Sequence, residues 1–252
     1  AMANQLGIMN GTGTLDYSMA ARRDVLYKML ENTLDAEVLK QTGYGTEETF
    51  ESRRGQTVMS EYLKVGKYKG TVTATSSTSY NGASNLMDGQ IEIDSTAYTY
   101  SSSRSQADAL LGYQVTYYVN ISDPTEEYPT ILLLVENMSD NRVVAVNAED
   151  IRPNTTTKTL YYYTYTDSGT ARSQSAQIPE TADVIYNGVY YCKAYMLEDS
   201  DLQPMTGSVT LLDTDGNGSY DLVKIEDILT IVVGAINSDE LTISDYYKRT
   251  TL

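Results

Sequence analysis

The feature that most restricts this chain is a change of hydrophobic period near Gly70. Before it, Leu26, Met29, Leu30, Thr33 and Leu34 recur at helical spacing, with Arg22, Arg23, Asp24 and Glu31 around them. After it the period becomes two. Val72 and Ala74 alternate with threonines, and Ile91 and Ile93 with Glu92 and Asp94. Tyr113, Val115, Tyr117, Val119 and Ile121 make one face of a strand whose other face carries Gln114, Thr116 and Asn120. Successive side chains of a strand point to opposite faces, so this pattern belongs to sheets with one apolar side. The expected fold class is mainly β, α+β overall, with a short N-terminal helical segment and two small antiparallel modules of barrel or sandwich type.

Punctuating residues set the expected boundaries. A helical segment covers 1–64, its first helix ended by Gly43 and Gly45 and a second, short helix over 57–63 stopped by Gly66. A first β-module covers 65–153, for which an OB-like barrel is one topology. Within it, 130–135 and 142–146 read as a hairpin around Ser139-Asp140-Asn141. Pro153-Asn154 and the three threonines after them mark a joint, and a second β-module fills 154–252. Its strands fall at 160–166, 184–186, 189–196, 208–212, 220–225 and 229–236, separated by turns such as Asn187-Gly188.

The 34 acidic residues outnumber the 18 basic ones, for a net charge of −16. Such a charge repels nucleic acid and anionic membrane at long range, so neither is an expected partner. No run of eighteen apolar residues occurs, and no transmembrane segment is expected. Histidine is absent, which removes the commonest general base and transition-metal ligand. There is no G-x-S-x-G and no phosphate-binding glycine loop, and no carboxylate pair stands out from the acidic background. The chain reads as a non-enzyme. Its one cysteine, Cys192, alternates with Tyr190, Ala194 and Met196 and reads as a small buried residue.

One segment carries metal chemistry. In Asp213-Thr214-Asp215-Gly216-Asn217-Gly218-Ser219-Tyr220-Asp221, oxygen side chains fall at positions 1, 3, 5 and 9 around a glycine-assisted turn. Ca²⁺ takes about six to eight oxygens, and this spacing wraps several around one point, with Ser219 offering its carbonyl. The segment is not an EF-hand, because position 12 is Lys224 and not Glu. A plain polar hairpin turn is the competing reading, since Asp-Gly and Asn-Gly favour one.

The 23 tyrosines are the other conspicuous group. Tyr161, Tyr163 and Tyr165 share one strand face, and Tyr191 and Tyr195 flank Lys193. A cross-strand aromatic ladder, a subunit contact and a sugar-stacking face are three uses that such tyrosines suit.

The order of Leu6-Gly7-Ile8-Met9-Asn10-Gly11, then Ala21-Arg22-Arg23-Asp24, then Glu31-Asn32-Thr33-Leu34 resembles the last part of an S-layer homology repeat. Arg22 matches that repeat's conserved-type arginine and Asp24 its acidic position, with Ala21 where the repeat commonly has threonine. The stretches VGKYKGTVTAT, GQIEID, LGYQVTYYV and GSVTLLDTDGNGSYDLV resemble the β-rich region that follows such repeats in surface proteins of Gram-positive bacteria. The resemblance implies an extracellular, wall-associated structural protein that self-assembles into a surface layer or appendage. It also implies cell-wall polysaccharide as a ligand, met by Arg22 and Asp24. The Asp-rich loop likewise looks like the calcium loops between strands of FG-GAP-type repeats.

Overall fold

The computed structural model describes residues 2–16, 18–44, 49–80, 82–100, 107–230, 232–238 and 242–246. In chain order its regular elements begin with α1 (Met2–Gln5), α2 (Arg23–Asp35), β1 (Glu37–Gly43), β2 (Thr49–Thr57) and α3 (Val58–Tyr62). There follow β3 (Val65–Thr75), β4 (Gln90–Ile93), β5 (Thr96–Thr99), β6 (Gln114–Asn120), β7 (Ile131–Glu136) and β8 (Arg142–Asn147). Then come β9 (Thr159–Tyr165), β10 (Ala171–Gln177), β11 (Asp183–Tyr186) and β12 (Val189–Lys193). The last four are β13 (Gly207–Asp213), β14 (Leu222–Asp227), β15 (Val233–Asn237) and β16 (Thr242–Asp245). The chain is mainly β with few helices, as the change of period predicts.

The N-terminal segment is less helical than its pattern. α2 ends at Asp35, where Ala36 turns extended, and the chain runs on as the β1–β2 hairpin. Gly43 thus closes a strand, and Gly45 lies outside the described residues. Val38 and Ala36 go into the packed side, while β2 is exposed except at Thr57. α3 starts where expected. The Thr57 hydroxyl accepts the Ser60 amide at 3.1 Å and the Ser60 hydroxyl accepts the Thr57 amide at 2.9 Å, a reciprocal cap on a one-turn helix.

Two five-stranded sheets build the body. Sheet I has the order β5-β4-β3-β6-β7 and is antiparallel throughout. One isolated bridge, Thr99–Thr130, joins its two ends, but no closed barrel forms among the described residues, so the OB-like expectation gives way to an open sheet. Sheet II has the order β12-β11-β14-β13-β8 and is antiparallel except where β11 and β14 run parallel. The expected hairpin between 130–135 and 142–146 does not exist. β7 pairs with β6 in sheet I, while β8 pairs with β13 in sheet II, Leu211 facing Val144 across that ladder. The Ser139-Asp140-Asn141 turn carries the chain from one sheet to the other.

Sheet II is apolar on both faces, as the adjacent buried pairs Val184-Ile185, Leu211-Leu212 and Leu222-Val223 require. Ile185, Leu212 and Leu222 pack with Val72, Ile91, Ile93, Val115, Tyr117, Val119 and Leu134 of sheet I. Val184, Cys192, Val209, Leu211, Val223 and Ile225 pack on the opposite side, under Leu160, Ile178, Leu197 and Leu202 from the 148–206 region. Cys192 is buried as expected, yet it does not share a face with Tyr190. A bulge between their partners Val184 and Ile185 sends Cys192 to one core and Tyr190 to the other, and Met196 is exposed.

Candidate metal centre

The 213–221 loop links β13 to β14 and leaves the end of sheet II that faces sheet I. Asp213 is only 2% exposed, and both of its carboxylate oxygens are used. One accepts the Gly216 amide and the other the Gly218 amide, each at 2.7 Å. Gly216 and Gly218 have φ of +74° and +92°, the left-handed region that folds their amides back toward Asp213 and that a side chain would strain. Asp221 closes the loop from the far side, its Oδ2 accepting the Thr214 amide at 3.0 Å and the Thr214 hydroxyl at 3.1 Å.

These turns bring one oxygen each of Asp213, Asp215 and Asp221 within 4.8 Å of one another. No ion pair among the described residues neutralises any of the three. Two carboxylates at that separation repel by roughly 3 kcal/mol at an effective dielectric constant of ~20, less for the exposed Asp215. A divalent cation removes that repulsion, and an all-oxygen set suits a hard ion such as Ca²⁺. Asn217 and Ser219 hydrogen-bond within the same loop. The Asn217 side chain donates to Asp215 at 2.8 Å and accepts the Ser219 amide at 2.7 Å, a local turn. Of the predicted five-residue set, the three carboxylates are gathered, with Asn217 bonded to one of them and Ser219 bonded to Asn217.

Three further residues anchor this corner. The Thr71 hydroxyl and the Gln114 side-chain amide both donate to the Thr214 carbonyl at 3.2 Å, fastening the loop to sheet I. Arg142 of β8 donates to the Gly218 carbonyl at 2.5 Å, its guanidinium 5.0 Å from the Tyr220 ring centroid. The local motif contains none of them. Pairing of β8 with β13 brings Arg142 here and packing of sheet I on sheet II brings Gln114, across more than seventy intervening residues that spacing along the chain does not encode.

The other candidate residues lie apart. Arg22 and Asp24 form an exposed ion pair of 2.5 Å at the start of α2, lining an open groove with Asp16, Met19 and Leu26. Opposite Tyr161, Tyr163 and Tyr165 stand Ser175, Ser173 and Ala171, so no aromatic ladder crosses the β9–β10 hairpin. Tyr163 instead lies under the Arg152 guanidinium at 5.3 Å. Tyr191 meets Tyr186 at 5.6 Å on the edge strand β12, and Tyr195 is exposed in the short turn of helix after it. No protein-family model, curated protein or solved structure matches this chain.

Proposed function

We propose that this chain is a non-catalytic architectural module whose 213–221 loop binds Ca²⁺, and that it serves outside the cell as a self-associating unit of a bacterial surface layer or appendage. The observation that carries the reading is the convergence of the Asp213, Asp215 and Asp221 carboxylates at a corner tied to both sheets. An ion there would cross-link β13, β14 and, through Thr214, sheet I. The assembly role draws on the sequence resemblance and on the apolar residues Leu132, Leu133 and Val135 exposed on β7 at the end of sheet I. Cell-wall polysaccharide is the second reading, favoured by the open groove beside Arg22.

A thermal melt with millimolar Ca²⁺ and then with a chelator tests the metal site. Saturation at a hundred times Kd adds about 2.7 kcal/mol, a shift of several degrees. Asp215→Asn is expected to abolish the shift, because Asp215 is exposed and its loss spares the core. Equal melting with and without calcium would leave the loop a simple hairpin. Electron microscopy of the same samples, with and without wall polysaccharide, separates the two partner readings: ordered polymers without glycan support self-assembly, and assembly only with glycan supports the second.

A further inference from the structure

A cavity of about 310 Å³ lies between the two sheets, walled in part by the strands that flank the Asp-rich loop. Its walls include Thr75 and Tyr113 from sheet I and Thr210, Lys224 and Glu226 from sheet II. Lys224 and Glu226 are two apart on β14, so they share the face that carries Leu222 into the inter-sheet core. Thr210 sits directly opposite Lys224 in the β13–β14 ladder, and Ser208 opposite Glu226.

The Lys224 ammonium has an unusual setting. It donates to the Ala109 carbonyl at 3.3 Å and lies 5.0 Å from the Tyr113 ring centroid, and it makes no ion pair among the described residues. Packing around it strips water from the charge and pushes its pKa down to about 8, with Glu226 alone opposing the change. At pH 7 about a tenth of the molecules then carry a neutral amine, against on the order of one in three thousand for an ordinary lysine. Glu226 is exposed, with one oxygen taken by the Ser208 hydroxyl at 3.2 Å. A carboxylate beside the amine and a chain charge of −16 both disfavour an anionic guest, whereas an uncharged one meets no such barrier.

We propose that Lys224 is a carbonyl-reactive amine, and that its pocket takes a small uncharged hydroxyaldehyde or hydroxyketone such as the open form of a short sugar. The Nζ lone pair attacks the carbonyl carbon, and the carbonyl oxygen gains a proton to give a carbinolamine. That hydroxyl then leaves as water with the remaining nitrogen proton, forming C=N without any oxidant or reductant. Glu226 is placed on the same strand face to move protons in both stages, and Thr210 to hold a hydroxyl of the guest.

Glyceraldehyde with cyanoborohydride at pH 7 tests this, since the hydride reduces each imine to a stable secondary amine that peptide mass spectrometry locates. Lys224 is expected to label at least about tenfold faster than the exposed Lys64 and Lys158, with a rate that saturates in aldehyde. Thr210→Val and Glu226→Gln, checked for unchanged melting, are expected to slow Lys224 by about threefold or more while leaving Lys64 untouched. Labelling no faster than at Lys64, or a rate linear in aldehyde throughout, overturns the proposal.

Discussion

At the residue scale, Lys224 and Tyr186 respond to pH in opposite senses. Lys224 has a folded pKa near 8, below its ordinary 10.5, so between those values the folded chain holds fewer protons than the unfolded one. Its penalty is full below about pH 8 and fades as pH rises toward 10.5. Tyr186 is pushed up to about 12 by burial and by its 2.9 Å hydrogen bond to Asp227. Its contribution is intact below about pH 10 and is lost as pH climbs through 12. Urea midpoints from pH 7 to 10 are therefore expected to rise in the native chain relative to Lys224→Met. Parallel profiles for the two would show that the ammonium is not desolvated. Neither shift was visible in the sequence, because each depends on which strand face a residue joins and on what packs above it. The Asp213, Asp215 and Asp221 spacing was visible, since a tight loop brings near neighbours together whatever the tertiary fold. The binding of Asn217 and Ser219 back onto the loop itself was not.

At the element scale, burial differs sharply between strands. β13 carries four buried side chains in seven, whereas all five residues of β15 are exposed, Ile236 by 69%. Among the described residues, the β15–β16 hairpin pairs only with itself. A two-stranded ribbon without a packed face has little independent stability. Backbone amides of Val233–Asn237 are expected to exchange with deuterium within seconds at neutral pH, and those of Gly207–Asp213 orders of magnitude more slowly. Comparable protection in both would mean that the hairpin docks in solution. The same contrast explains what the sequence revealed. Gln114–Asn120 and Leu222–Asp227 announced themselves by apolar residues that the core needs. Thr49–Thr57 has a nearly all-polar, exposed surface, and no alternation marks it as a strand. Ser139-Asp140-Asn141 does form the turn that its residues predict, but a turn residue fixes a reversal of local direction and not the partner of the strand that follows.

At the scale of the whole molecule, sheet II serves both apolar cores, Leu222 filling one and Val223 the other. Residues 65–153 hold β8, and residues 154–252 hold the β13 it pairs with. Separate expression of those two segments is expected to give chains with broad, non-cooperative melts, and the full chain a single calorimetric transition. Two sharp transitions reproduced by the isolated halves would refute that dependence. The pairing of β8 with β13 also sets an order in time. As the polypeptide emerges during synthesis, sheet I can close early, but β8 waits with an unmatched ladder until β13 has been made. A segment held open over that interval is a site where a chaperone would bind, or where a neighbouring nascent chain could lend its own β13.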